Sequence, residues 1–211
     1  MAASRAARRA ANRAITALAG LTLASAIALP AAAPALAAAP AQAAAAACPE
    51  LLQQRQPRLQ DEKPIELCSY SGKVLLVVNT ASYCGFTPQY KALEALYQRY
   101  GSRGLVVLGF PSNDFSQEPG SNEAIADFCE NTFSVRFPMF AKSSVKPGSG
   151  VAVNPLYTAL AAKTGQAPRW NFHKYLVSRD GRQVISRPSA TDPLSPEFVR
   201  EVEKLLAEPA N

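Results

Sequence analysis

Two unbroken apolar runs, VLLVVN at 74–79 and LVVLGF at 105–110, constrain this chain more than any other feature. Both are rich in valine and leucine and too short for a helix, so each reads as a strand covered on both faces. One segment of helical character separates them. Thr87-Pro88 reads as an N-cap followed by proline at the first helical position. Tyr90, Leu93, Tyr97 and Tyr100 then recur at helical spacing, and Gly101 and Gly104 close the segment. Strand, helix and strand make a βαβ unit, which dictates a parallel pair and a right-handed crossover.

The rest of the chain extends that unit. Residues 49–64 are polar and proline-bearing, without a period, so the core is expected to begin at Lys73. Ser121 to Glu130 reads as a short helix and PMF (138–140) as the start of a strand. Asn154-Pro155 repeats the cap-plus-proline signal, opening a helix that ends near Gly165. Tyr175–Val177 and Gln183–Ser186 flank Asp180-Gly181, a hairpin signal. Ser195-Pro196 opens a last helix with Phe198, Val199, Val202, Leu205 and Leu206 on its buried face. A βαβ unit, a hairpin and a terminal helix are the plan of the thioredoxin fold. The expected class is therefore α/β: one domain over residues 44–211, with a central mixed sheet flanked by helices.

The N-terminus obeys different rules. Residues 1–14 carry Arg5, Arg8, Arg9 and Arg13 and no acid; an apolar run fills 15–29, and an Ala/Pro tract continues to Ala47. This is the pattern of a signal peptide over 1–43, cleaved after Ala37 or Ala43, and it predicts export, with the periplasm as destination. The apolar run is short of the roughly 20 residues of a membrane span. Outside residues 1–43, 18 basic residues face 16 acidic ones. The basic excess is largely targeting charge, and no patch argues for nucleic acid. Export would bring Cys48, Cys68, Cys84 and Cys129 into an oxidising compartment. Cys48 and Cys68 flank the irregular segment, and closing that loop is expected to be their structural role.

Cys84 lies in NTASYCGFT, between the first strand and the helix N-terminus. Free N–H groups and the helix dipole there favour a thiolate, the nucleophilic form of cysteine. Gly85 would let backbone approach the sulfur. On position alone, a packed structural cysteine explains the residue equally well.

Three separated motifs tip the balance. GKVLLVVNTASYCGFT (72–87), LGFPSNDFSQEPG (108–120) and PRWNFHKYLV (168–177) resemble the glutathione peroxidase family in its cysteine form, and the likeness runs from about Leu59 to Leu206. The resemblance implies a thiol peroxidase that reduces hydrogen peroxide or organic hydroperoxides and protects against oxidative stress. Cys84 would attack the O–O bond and become a sulfenic acid, with Trp170 and Asn171 as hydrogen-bond donors around it. The family's glutamine position falls on Asp114 when the motifs are aligned on Phe115. A carboxylate there cannot donate and would repel a thiolate. Three outcomes stand open: Asp114 is protonated or turned away, Asn113 supplies the donor, or Asp114 relays a proton.

Thr87 occupies the second position of a would-be CxxC, so any resolving thiol lies elsewhere. Cys129 is the candidate, although the family's usual position falls on Glu130, about 100° around a helix. His173, the only histidine, is expected to be a surface neighbour. No cofactor or metal is implied; the reductant would be external, a thioredoxin-like dithiol protein or glutathione. By the same resemblance, the short stretch between Phe140 and Trp170 lacks the insertion of oligomeric, glutathione-using members, which implies a monomer and favours the dithiol. Two other readings use the same residues. One is a peroxide-sensing relay that passes oxidation to a partner protein. The other is a binding module on a retired scaffold.

Overall fold

The computed structural model describes residues 48–209, so the expected signal peptide and its cleavage points lie outside the described residues. Four strands form the main sheet: β3 (Val74–Thr80), β4 (Leu105–Pro111), β5 (Lys174–Val177) and β6 (Val184–Arg187), in the order β4-β3-β5-β6. A separate small hairpin joins β1 (Arg55–Pro57) to β2 (Pro64–Glu66). β3 and β4 run parallel, from Val74 opposite Leu105 to Thr80 opposite Pro111. β5 pairs antiparallel with β3 and with β6, so the sheet is mixed. This is the thioredoxin arrangement expected from the βαβ-plus-hairpin order.

Alternation along β3 divides the core. Val74, Leu76 and Val78 face one side, where Leu176 joins them under α1 (Gln89–Tyr100), α2 (Asn122–Phe133) and α4 (Pro196–Ala207). Leu75 and Val77 face the other side, with Tyr175 and Val177, under α3 (Pro155–Thr164). All seven residues of β3 are buried, and the first five, Val74 to Val78, read apolar without a break. Each such side chain contributes about 1.5–3 kcal/mol on leaving water.

Helix starts follow the cap signals at three of four sites. The side chains of Ser121, Asn154 and Ser195 accept the Ala124, Leu156 and Phe198 N–H groups respectively. Thr87 departs from the pattern. α1 starts at Gln89, and no side chain caps it. The Thr87 hydroxyl is already committed: it donates to the Ala81 carbonyl at 2.9 Å and accepts the Cys84 N–H at 3.1 Å. On α1 the buried face runs through Tyr90, Leu93, Leu96 and Tyr100, with Tyr97 only partly covered.

Two further expectations change. The core does not begin at Lys73, because Leu51, Leu52, Leu59 and Leu67 are buried. They sit in short 3₁₀ turns and around a three-residue hairpin, which give no period to read. Cys48 and Cys68 are joined by a disulfide across this segment, with Cα atoms 5.3 Å apart. Residues 138–140 do not form a strand. Toward β4 only the bonds on either side of Gly109 are made, from its N–H to the Pro138 carbonyl and from the Phe140 N–H to its carbonyl, while on the other side the Met139 carbonyl accepts the Leu59 N–H. Pro138 has no N–H to extend the ladder. The approach is close: a Cβ on Gly109 would lie 2.2 Å from Met139 Sδ.

Candidate active site

Cys84 is a free thiol, 8 % exposed, in the loop 81–88 between β3 and α1. Thr87 shapes that loop. Its hydroxyl bridges Ala81 and Cys84, and its N–H donates to the Cys84 carbonyl at 3.0 Å. The turn aims the Phe86 N–H at Cys84 Sγ, 3.4 Å away. Gly85 is not required by crowding, since a Cβ there would meet nothing within 4 Å. The close backbone approach comes from Phe86 instead.

A second loop, the one that follows β4, docks alongside. The Tyr83 N–H donates to the Gln117 carbonyl at 3.1 Å, and Ser82 Oγ donates to Glu118 Oε2 at 3.0 Å. Glu118 is 1 % exposed, and burial pushes its carboxyl up, against the opposing bond from Ser82. The third loop is 170–172. Asn79, at the end of β3, holds it from both sides: its carbonyl accepts the Phe172 N–H at 2.6 Å, and its Nδ2 donates to the Trp170 carbonyl at 3.1 Å. Phe172 has a left-handed backbone, φ 61°, an uncommon conformation for a bulky residue.

The second and third loops meet through one side-chain bond. Asn171 Nδ2 donates to Gln117 Oε1 at 2.8 Å. Asn171 is fully buried, and its Oδ1 has no partner among the described residues. Trp170 is half-exposed, its ring against Phe115 with centroids 5.3 Å apart, and Lys146 lies over Phe115. The result is one continuous set of contacts from the Cys84 loop through Gln117 to Asn171, with Trp170 at its edge.

Asp114 is not in this set. Its carboxylate accepts the Val145 and Lys146 N–H groups at 2.7 and 3.0 Å and the Ser144 hydroxyl at 3.0 Å. It lines a separate cavity of about 230 Å³ with Lys142, Ser143 and Val151. Asn113 is also engaged, capping the Glu118 N–H at 2.9 Å. The amide on Asn171 is therefore Gln117, which motif alignment on Phe115 passes over. The signal that could have found it is the second amide of the same motif, the Gln of SQEPG.

Cys129 does not bond to Cys84. It is buried on α2, and its thiol donates to the Tyr90 hydroxyl at 3.4 Å. Burial pushes the Cys129 thiol up to about 11, with the Tyr90 bond opposing and the Glu118 charge adding. Glu130, one position on, is exposed and pairs with Arg136. His173 is buried rather than superficial. Its Nε2 lies 2.8 Å from Ser186 Oγ, and burial pushes it down to about 4, so it is neutral at pH 7. A cavity of about 510 Å³ between Arg58, Tyr70, Tyr97 and Phe140 does not include Cys84.

With the geometry in hand, known proteins give it context. The family model for glutathione peroxidase matches residues 52–161. The glutathione peroxidase-like peroxiredoxin gpx1 of Schizosaccharomyces pombe is 51 % identical over 139 residues, covering 64 % of this chain and 85 % of that one. The hydroperoxy fatty acid reductase gpx1 of a Synechocystis species is 46 % identical over 157 residues, covering 69 % and 90 %. Among solved structures, the apo crystal structure of Trgpx superposes with a TM-score of 0.58 at 34 % identity, covering 76 % of this chain and 98 % of that one.

Proposed function

The chain belongs to the glutathione peroxidase family, and we propose that it is a thiol peroxidase in which Cys84 reduces hydroperoxides. The observation that carries this reading is the free Cys84 thiol under the Phe86 N–H, in a loop bonded through Tyr83 to Gln117, whose side chain pairs with Asn171. The Cys84 thiolate attacks one peroxide oxygen and the O–O bond breaks. Sulfur is oxidised to the sulfenic acid, and the leaving hydroxide or alkoxide takes up a proton to become water or alcohol. Donors fixed before the reaction stabilise the charge as it moves from sulfur to oxygen. Phe86 N–H, the second N–H of Asn171 and the indole N–H of Trp170 are suited to that task.

The sulfenic acid then condenses with a second thiol, releasing water and forming a disulfide. Cys129 is the thiol we assign to this step. It is buried against Tyr90, so α2 must loosen to deliver it. An external dithiol protein of thioredoxin type returns both sulfurs to thiols, and the chain works as a monomer. The Cys48–Cys68 disulfide suits an exported protein, in keeping with a signal peptide over 1–43 and a periplasmic location.

Stopped-flow oxidation of the reduced protein by hydrogen peroxide and by an organic hydroperoxide tests the reading. Cys84→Ser should abolish the fast phase, and Cys129→Ser should keep it but lose the intramolecular disulfide. Survival of the fast phase in Cys84→Ser would refute the assignment. Fast oxidation without turnover by thioredoxin or glutathione would point to the relay instead.

A further inference from the structure

Lys174 is a charged side chain in a place where burial is costly. It opens β5, opposite Val78 of β3, and it is fully buried. Among the described residues, no carboxylate lies within ion-pair distance of it. Its Nζ donates instead to two backbone carbonyls, Phe172 at 2.7 Å and Ser189 at 3.2 Å. The Ser189 carbonyl also accepts Gln89 Nε2 at 2.9 Å, from the first residue of α1. One ammonium thus ties the 170–172 loop to the segment that holds the start of α1, the helix that follows Cys84.

We propose that Lys174 is a positioning residue of the peroxidatic site, its ammonium holding the left-handed turn at Phe172 so that Asn171 and Trp170 are presented to Cys84. The inference rests on the donor roles assigned above to Asn171 and Trp170. Phe172 adopts a backbone that a bulky residue avoids, so something must hold it. Asn79 fixes its N–H side, and Lys174 fixes its carbonyl. An apolar residue would fill the same space at lower cost but could not hold that carbonyl. The charge also lies on the same side of the sheet as α1.

Burial pushes the Lys174 ammonium down to about 7, with Asp192 opposing. The other charged or titratable groups around it are His173, just before β5, and Arg187, opposite on β6 and paired with Glu201 of α4. His173 is neutral across the range of interest. In the unfolded chain the lysine keeps its proton to about 10.5, so between about 7 and 10.5 the unfolded state binds more protons. Stability therefore rises with pH in that window, while the clamp on Phe172 loses its charge. A purely structural lysine would make activity follow stability; this one sets them in opposite directions.

The test is the rate of Cys84 oxidation by hydrogen peroxide from pH 6 to 9, followed by the fluorescence of Trp170, the only tryptophan. In the unmodified protein the rate should fall toward pH 9 as Lys174 loses its proton. Lys174→Met should lower the rate at pH 7 by about tenfold to a hundredfold and remove the falling limb. Added to Asn171→Ala, it should cost clearly less than it does alone, because part of its effect runs through that residue. A Lys174→Ala chain that folds and oxidises Cys84 at the wild-type rate would overturn the proposal even if Lys174→Met failed to fold. A fully additive double variant would overturn it while leaving the role of Asn171 intact. An Asn171→Ala chain reacting at the wild-type rate would overturn both.

Discussion

Exchanging the roles of Asp114 and Gln117 gives opposite results for rate and stability. Asp114→Ala removes an acceptor that holds two backbone N–H groups and one hydroxyl of residues 144–146. Bonds to a charged acceptor are worth about 1.5–3 kcal/mol each when buried, but this carboxylate is half-exposed and water can reach the freed groups. The expected loss is about 2–3 kcal/mol in all, or roughly 5–10 °C in Tm for a domain of this size. The rate of Cys84 oxidation should stay within about twofold. Gln117→Ala removes the partner of Asn171 Nδ2 and leaves that fully buried amide free to turn. Loss of a preorganised donor costs about 10²–10³ in rate where it is direct. Here it acts through Asn171, so about tenfold to a hundredfold is expected, with little change in Tm. Both variants are measured by stopped-flow oxidation and thermal unfolding. If Asp114→Ala slows oxidation more than about tenfold while Gln117→Ala does not, the reasoning from the hydrogen bonds is wrong.

Three further outcomes follow from the packing. Cys48→Ser should lower stability to urea by about 3 kcal/mol, the loop-closure value for a 20-residue separation, and a reductant should then destabilise the parent protein but not the variant. Arg179 donates to the carbonyls of Gly72, Arg103, Leu206 and Glu208, so Arg179→Ala should cost about 3 kcal/mol and Lys should rescue only part, read by the same urea titration. His173 is held neutral down to about 4 when folded but takes a proton near 6.5 when unfolded, so stability should fall as pH drops between those values. His173→Gln should flatten that part of the urea midpoint-against-pH curve.

What the sequence made legible was what local patterning controls. The apolar runs of β3 and β4 announce burial on both faces, and Ser121, Asn154 and Ser195 cap the helices they precede. Asp180-Gly181 turns the β5–β6 hairpin because Gly181 takes the positive φ the turn needs. The illegible parts depend on partners distant in sequence. Thr87 looks like a cap, but Ala81 and Cys84 compete for its hydroxyl. Asp114 and Gln117 are three residues apart, and only the contacts of each with residues 144–146 and 171 tell them apart. Leu51, Leu52 and Leu67 are buried by tertiary contact without a period to betray it. His173 reads as polar surface until Ser186, on the neighbouring strand, gives it a buried partner.

The buried lysine on β5 also bears on how this domain would respond to engineering. A stability-guided redesign would replace Lys174 first, because an apolar side chain fits a fully buried strand position better than an ammonium. Methionine or leucine there should yield a tougher, more heat-resistant chain whose site geometry has relaxed. Libraries of this scaffold screened on expression or melting temperature would accumulate that change and lose peroxide reactivity without any substitution at Cys84. A screen that scores oxidation rate beside melting temperature would retain the lysine.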